Sequence, residues 1–311
     1  MTFTKRRLAL LVTVPVLTAA LLAGCAANDA RQPAGSRSTA PAASSTPAAD
    51  ADAFQQLEQH FGARLGVYAM DTGSGREVAY NADQRFAHAS TYKALSVGVL
   101  LSRASEADLD KVVTYRSEDL QAYAPITSQH VATGMRLRDL AAAALQYSDN
   151  TAANLVSDDL GGPAALQQAL RAFGDPTTNV NRTEPTLNEA TPGDPRDTST
   201  PRALATDLRR FVLGDALPGD RRQTLTDWLL GNTTGAPYIR AGVPAGWKVA
   251  DKTGNGGYGT RNDIAVLWPA GGGSPVVIAI LSDRGKAGAT SDDALIAQAT
   301  RAALNALNAL H

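Results

Sequence analysis

The chain has 311 residues, 44% of them hydrophobic, and its 29 basic and 30 acidic residues leave a formal net charge of −1. This length supports one large domain or two closely packed ones, and the lack of basic clusters argues against nucleic acid as a partner. The four histidines and the one cysteine form no metal-binding motif such as H-E-x-x-H, so we expect neither a zinc site nor another cofactor.

The N-terminus combines a basic segment, Lys5-Arg6-Arg7, with an apolar segment over 8–22 that is too short for a comfortable membrane span. Leu22-Ala23-Gly24-Cys25 then resembles a bacterial lipobox, in which the cysteine is lipidated and begins the mature chain. An ordinary secretory signal is the alternative. Because the single cysteine lies where a lipobox requires it, we predict a signal peptide over 1–24 and lipidation of Cys25. The protein is then expected on the extracytoplasmic face of the cell membrane, with partial secretion as a second outcome.

Residues 25–51 are mostly Ala, Pro, Ser and Thr and contain no large apolar side chain. Such a segment cannot bury enough surface to become ordered, so we predict a disordered tether here. The folded domain is expected to span 52–311.

Periodic patterns begin immediately after the tether. Phe54, Leu57 and Phe61 are spaced as on an amphipathic helix, and strands are predicted over 65–70 and 77–80. Residues 87–230 are mostly helical in pattern. Three further strands are predicted over 247–253, 262–268 and 276–282, and Ser291-Asp292-Asp293 is typical of the start of a helix.

This order predicts an α+β fold in which the terminal strands form one antiparallel sheet. The first and last helices would cover one face of the sheet. We expect an α/β lobe from 52–86 and 231–311, and an all-α lobe from 87–230.

Ser90 and Lys93 are the first candidates for chemistry. Ser90 precedes an apolar run and would lie at the N-terminus of a buried helix, where free N–H groups favour negative charge. Lys93 is three residues further on and lies on the same helix face, so the two could form an activated nucleophile. The alternative is a capping serine beside a lysine that extends to solvent.

Ser148-Asp149-Asn150 lies between two helical runs and could be a simple capping turn. In the functional interpretation, the Ser148 hydroxyl relays a proton to a leaving group. Asn150 offers its amide to a substrate carbonyl.

A long polar loop over 174–200 contains Glu184 and Asn188, and loops of this length are usually functional. The two side chains could hold a water that the carboxylate activates as a general base. The alternative is a solvated surface glutamate. Arg182 and Asp197 could close the loop with an ion pair.

Lys252-Thr253-Gly254 ends a predicted strand, and Lys252 with Arg261 could bind a substrate carboxylate. The backbone N–H groups of Ser90 and Asn255 are candidates for an oxyanion hole. A glycine-rich hairpin with exposed charges is the alternative.

The four segments in this order resemble class A serine β-lactamases, whose marks include S-x-x-K, S-D-N, K-T-G and a loop glutamate. Phe86, Tyr123 in the segment 120–125, and the segment 197–201 add to the resemblance. It implies a five-stranded antiparallel sheet flanked by helices plus an all-α lobe, with the site between them. It also implies a cis Glu184–Pro185 bond.

The resemblance further implies catalytic roles for Ser90, Lys93, Ser148 and Glu184. Ser90 would form an acyl-enzyme with the β-lactam, and a water activated by Glu184 would release it; whether Lys93 or Glu184 accepts the first proton is left open. The implied substrate-binding residues are Tyr123, Asn150, Asn188, Lys252, Thr253, Gly254, Asn255 and Arg261. Penicillins and cephalosporins are the expected substrates, and a monomer is the expected state.

Asn255 departs from the family pattern, which usually has Ser, Ala or Thr there, and could narrow the substrate range. Ala89 precedes Ser90 and no second cysteine exists, so the disulfide of carbapenem-hydrolysing relatives is absent. Two other functions remain open: a penicillin-binding D,D-peptidase, which lacks the deacylating glutamate, and a non-enzymatic lipoprotein that senses β-lactams or binds the cell wall.

Overall fold

A computed structural model describes residues 48–309, with only the backbone for 48–50. The predicted signal peptide, Cys25 and most of the predicted tether lie outside the described residues. Within the described range, no helix has the length and apolar character needed to cross a membrane.

The α-helices of the described range are, in chain order, α1 (Ala48–Phe61), α2 (Tyr92–Arg103), α3 (Glu106–Asp110), α4 (Leu137–Gln146), α5 (Asn150–Asp159), α6 (Pro163–Ala172), α7 (Pro201–Val212), α8 (Gly219–Leu230), α9 (Ile239–Gly242) and α10 (Asp293–Ala306). The strands are β1 (Arg64–Asp71), β2 (Glu77–Tyr80), β3 (Phe86–Ala87), β4 (Val112–Val113), β5 (Met135–Arg136), β6 (Thr198–Ser199), β7 (Lys248–Asn255), β8 (Arg261–Trp268) and β9 (Val276–Asp283).

The five long strands form one sheet in the order β2-β1-β9-β8-β7, and every neighbouring pair is antiparallel. The prediction that strands from both ends of the chain share one sheet is therefore confirmed. The four short strands form two separate two-stranded ladders, β3 with β6 and β4 with β5.

Consecutive side chains of a strand point to opposite faces of the sheet. Because consecutive residues of β8 are buried, both faces of the sheet are covered. Ile264 and Val266 join a core with α2, α4 and α7, whereas Ala265 and Leu267 join a second core with α1 and α10. The first and last helices thus cover one face, as predicted.

Two boundaries of the sequence prediction need correction. Helix α1 begins at Ala48, before the expected domain start at residue 52. Helix α7 lies in the region assigned to the all-α lobe, 87–230, but packs on β1, β8 and β9. Its apolar stripe of Leu204, Leu208 and Phe211 covers the sheet face that α1 and α10 leave open.

A buried pair of carboxyl groups joins the start of the loop 174–200 to α7. Burial, followed by the neighbouring Asp175 carboxylate, raises the pKa of Asp207 to about 9, so this carboxyl is protonated at neutral pH. Burial opposes ionisation of Asp175, but hydrogen bonds from Thr178 and Asp207 outweigh it and lower the pKa of Asp175. Arg210 donates to the Asp207 Oδ1 atom at 2.9 Å. The proton on Asp207 therefore stabilises the contact between the loop 174–200 and helix α7.

Candidate active site

Ser90 lies in a 3₁₀ turn, Ala89–Thr91, that leads directly into α2. Ala89 has a φ of 44°, which is uncommon for a residue with a side chain and is typical of constrained sites. Helix α2 is buried over its first ten residues, as the apolar run predicted. The Ser90 hydroxyl donates to Glu184 Oε1 at 3.1 Å.

Lys93 is completely buried and does not extend to solvent. Its Nζ donates to the Ser148 carbonyl at 2.9 Å and to Asn150 Oδ1 at 2.7 Å, and it lies 3.0 Å from Glu184 Oε1. Burial lowers the pKa of the Lys93 ammonium, while the Glu184 carboxylate acts in the opposite direction. Lys93 and Ser90 were predicted to form a pair, and the atom that connects them is Glu184 Oε1, which contacts both side chains.

Asp149 makes the turn between α4 and α5 a structural element as well as a functional one. Its carboxylate caps α5 by accepting from the Ala152 N–H and also accepts from the backbone of Thr127. Ser148 on one side has a φ of 56°, and Asn150 on the other side begins α5. The capping interpretation is therefore right for Asp149, and the capped turn presents Ser148 and Asn150 to the site.

Glu184 is held from several directions in the loop 174–200, and its exposure is only 2%. The Asn188 Nδ2 group donates to Glu184 Oε2, and Asn154 binds the Glu184 backbone N–H and carbonyl, both at 2.9 Å. The solvated alternative is therefore wrong. The Glu184–Pro185 bond is cis, as the resemblance implied, and Arg182 closes the loop on Asp197 at 2.6 Å, as predicted.

Lys252 approaches the same site from strand β7. Its Nζ donates to Ser148 Oγ at 3.0 Å and to the Thr253 carbonyl at 2.8 Å. Burial, followed by repulsion from the Lys93 charge, lowers the pKa of Lys252 to about 7. The Ser148 hydroxyl therefore lies between two buried amines, since Lys93 Nζ is 3.4 Å away on its other side.

Gly254 allows β7 to pack against the turn that carries Ser90. A Cβ atom there would lie 3.0 Å from the His88 carbonyl oxygen and 3.1 Å from the Thr91 methyl group. This close approach places the strand that ends in Asn255 beside Ser90, as an oxyanion hole from these two backbone amides requires. His88 is not a partner of Ser90, because its ring nitrogens contact the backbone carbonyls of Ala89 and Asn179.

These side chains surround a cleft of about 400 Å³. It is lined by Ser90, Tyr123, Ser148, Asn150, Asn188, Thr234, Tyr238, Thr253 and Asn255. Seven of these nine residues were expected from sequence, and Thr234 and Tyr238 were not. Three further site residues are buried and are not part of this lining: Lys93, Glu184 and Lys252.

Arg261 stays a predicted substrate-binding residue and lies beside the cleft, in contact with the lining residue Tyr238. Its Nη1 donates to the Tyr238 hydroxyl at 2.8 Å, and its Nε lies 2.9 Å from Asp293 Oδ1 in an ion pair whose angle does not suit a hydrogen bond. Of the residues that sequence reasoning missed, Asn154 had a signal. It follows Asn150 by four residues and so lies on the same face of α5.

Comparison with known proteins gives a consistent result. A model described as the Beta-lactamase enzyme family matches residues 50–307. The chain is 51% identical over 306 residues to a β-lactamase of Bacillus licheniformis, and the match covers 98% of this chain and 97% of the relative. It is 55% identical over 267 residues to a β-lactamase of Amycolatopsis lactamdurans, and this match covers 86% of this chain and 88% of the relative. A crystal structure of a class A β-lactamase from Clostridium kluyveri superposes with a TM-score of 0.81 at 48% identity, covering 83% of this chain and 98% of that one.

Proposed function

The chain belongs to the class A β-lactamase family, whose members hydrolyse β-lactam antibiotics, and on this basis we propose the role of each site residue. The enzyme hydrolyses the β-lactam amide bond, an activity that confers antibiotic resistance. One observation carries the assignment of roles. Glu184 Oε1 lies 3.1 Å from the Ser90 hydroxyl and 3.0 Å from the Lys93 amine, so a single oxygen connects nucleophile and base.

In acylation, Ser90 Oγ attacks the lactam carbonyl carbon and its proton passes to the Glu184 carboxylate, which it contacts directly, or to Lys93 in the molecules whose Lys93 is a neutral amine. The carbonyl oxygen becomes an oxyanion that the Ser90 and Asn255 backbone amides stabilise. The Lys93 ammonium can only donate a hydrogen bond, so the Asn150 side chain accepts it through Oδ1. The Nδ2 group of Asn150 is then available to donate to the substrate.

Collapse of the tetrahedral adduct breaks the C–N bond, and the ring nitrogen then needs a proton. Ser148 is suited to supply it, because its hydroxyl can be reprotonated by the buried amines of Lys252 and Lys93. The lowered pKa of Lys252, about 7, keeps that proton available for transfer near neutral pH.

Deacylation requires a water on the acyl carbon. Glu184 accepts its proton, and Asn188 helps to hold it, since Asn188 Oδ1 is a buried acceptor with no partner in the described part of the chain. This pair distinguishes the enzyme from a penicillin-binding D,D-peptidase, which β-lactams inhibit.

Mapping the acyl group tests these roles. With benzylpenicillin we expect repeated turnover and, after rapid quenching, one penicillin adduct that peptide mass spectrometry places on Ser90. Ser90→Ala is expected to abolish both, whereas Ser96→Ala, which removes a buried hydroxyl from the same helix, should retain them. Stoichiometric acylation without turnover would instead support the peptidase.

We propose that Cys25 carries a lipid that anchors the enzyme, as a monomer, outside the cell membrane. The support is the basic segment, the short apolar segment and the position of the single cysteine. Cys25→Ser is expected to move the activity from the membrane fraction to the medium, whereas Asn28→Ser, three residues further on, should not. Unchanged membrane association of Cys25→Ser would refute the anchor.

A further inference from the structure

We infer that His88 is a positioning residue for deacylation: its imidazole, with its single ring proton on Nε2, ties the loop that carries Glu184 to the turn that carries Ser90. The inference rests on the proposed function of Ser90 and Glu184. Three observations support it: the contacts of His88 with both ends of the loop, the burial of its ring, and the number of protons that a neutral imidazole holds.

His88 contacts both ends of the loop 174–200. Its backbone N–H donates to the Asp197 carbonyl at 3.0 Å, and its ring Nε2 lies 3.0 Å from the Asn179 carbonyl oxygen. The two ends are also joined to each other, because the Asn179 N–H donates to the Thr198 carbonyl at 2.8 Å. We call this closure, formed by Asn179, Asp197 and Thr198, the neck of the loop.

The other contacts of His88 belong to the nucleophile and the sheet. Its carbonyl accepts from the Thr91 hydroxyl at 2.7 Å and from Asn262 Nδ2 on β8 at 3.2 Å. Ser90 follows two residues later, and its hydroxyl reaches Glu184 Oε1 at 3.1 Å. Since Glu184 lies between the two ends of the loop, the position of the neck relative to His88 helps to set the distance between nucleophile and base.

The ring of His88 faces two acceptors and is neutral. Its Nδ1 lies 3.0 Å from the Ala89 carbonyl oxygen, and its Nε2 faces the Asn179 carbonyl oxygen. Burial lowers the pKa of His88, although these two carbonyls and the carboxylates of Asp197 and Glu184 act in the opposite direction. A neutral imidazole has one N–H, so only one of the two contacts can be a hydrogen bond.

The partners of the two carbonyls decide which nitrogen carries the proton. The Ala89 carbonyl already accepts from the Tyr92 N–H. In the part of the chain that the structure describes, no donor other than His88 reaches the Asn179 carbonyl. Because a buried carbonyl without a donor is costly, the proton belongs on Nε2. His88 therefore donates a hydrogen bond across the neck of the loop.

Loss of this bond affects the two chemical steps unequally. The serine proton can pass to Glu184 or to Lys93 during acylation, whereas Glu184 is the only base assigned to the deacylating water. A looser neck should therefore slow deacylation more than acylation.

His88→Leu and His88→Gln test the inference as a pair. Leucine fills the buried site but has no donor, whereas glutamine places an amide N–H near the position of Nε2 and does not titrate. The measured quantity is the rate constant for decay of the Ser90 adduct after benzylpenicillin is removed, followed by mass spectrometry. We expect His88→Leu to slow this decay roughly 10-fold, as for a hydrogen bond whose loss leaves a buried acceptor unpaired.

The decay of the adduct separates positioning from a merely structural role. Loss of folded protein lowers the amount of adduct but not its decay rate, so an unchanged rate in His88→Leu overturns the inference. His88→Gln is expected to recover most of the parent rate, and decay as slow as in His88→Leu would contradict the role of the donor. His130→Leu, at an exposed histidine, should keep the rate of the parent.

The tautomer itself is a second readout, which does not depend on any variant being active. In the parent labelled with ¹⁵N-histidine, we expect the His88 signals at neutral pH to be those of a neutral ring with its proton on Nε2. The signals are assigned by their loss in His88→Gln. A proton on Nδ1, or on both nitrogens, overturns the inference even if His88→Leu fails to fold.

The parent enzyme in the same assay separates this inference from the proposed function. If the parent turns over benzylpenicillin with its adduct on Ser90, the site assignment holds and only the role of His88 is at stake. If the parent shows no Ser90 adduct, the proposed function fails first.

Discussion

Glu184→Ala is expected to trap the enzyme as a penicillin adduct on Ser90 and to reduce steady-state turnover roughly 10²- to 10⁴-fold, the usual contribution of a general base. Acylation can continue because removal of the Glu184 carboxylate takes away the main group that raises the pKa of Lys93, while burial still lowers it. The neutral amine can then accept the serine proton. Deacylation has no such substitute, because Asn188 can hold a water but cannot deprotonate it.

Intact-mass spectrometry after mixing with benzylpenicillin measures the adduct, and absorbance measures turnover. Glu189→Ala is the matched control, since it removes a carboxylate from the same loop whose side chain is 54% exposed and pairs with Arg182. It should retain turnover and accumulate no adduct. Rapid turnover by the Glu184→Ala variant would show that another group activates the water.

Asp207→Asn is expected to make the free energy of unfolding less dependent on pH between about 4 and 9. In the parent, the folded protein holds the Asp207 proton up to a pKa of about 9, whereas the unfolded chain releases it near 3.8. The contribution of Asp207 is therefore fully present below pH 3.8 and is lost as the pH rises through 9, by up to about 1.4 kcal/mol per pH unit.

The asparagine variant retains the shape and can still donate to Asp175 and accept from Arg210, but it has no proton to lose. Arg171 also faces the pair and favours the charged form of Asp207. We therefore expect the stability of the variant, relative to the parent, to increase with pH across this window in urea denaturation. Asp215→Asn, an exposed neighbour of α7, should show no such trend, and parallel pH curves for Asp207→Asn and the parent would contradict the proton assignment.

Much of the fold could be predicted because its signals are local. The runs 264–268 and 276–281 are apolar at every position, which indicates a sheet covered on both faces. The sequence does not specify which helices pack on each face of the sheet. Helix α7 was assigned to the wrong lobe because an amphipathic stripe shows that a face is buried but not what it is buried against.

The same distinction holds at the active site. By itself, the sequence determined the family and predicted the reacting groups, Ser90, Lys93, Ser148 and Glu184, because a short motif requires particular residue types at fixed spacing. The tertiary structure alone decided that one Glu184 oxygen joins Ser90 to Lys93, that Asn154 clamps the loop, and that Arg261 contacts Tyr238 in the cleft lining. These contacts join residues that are far apart in the chain, so their distances and the directions of their hydrogen bonds exist only once the chain has folded.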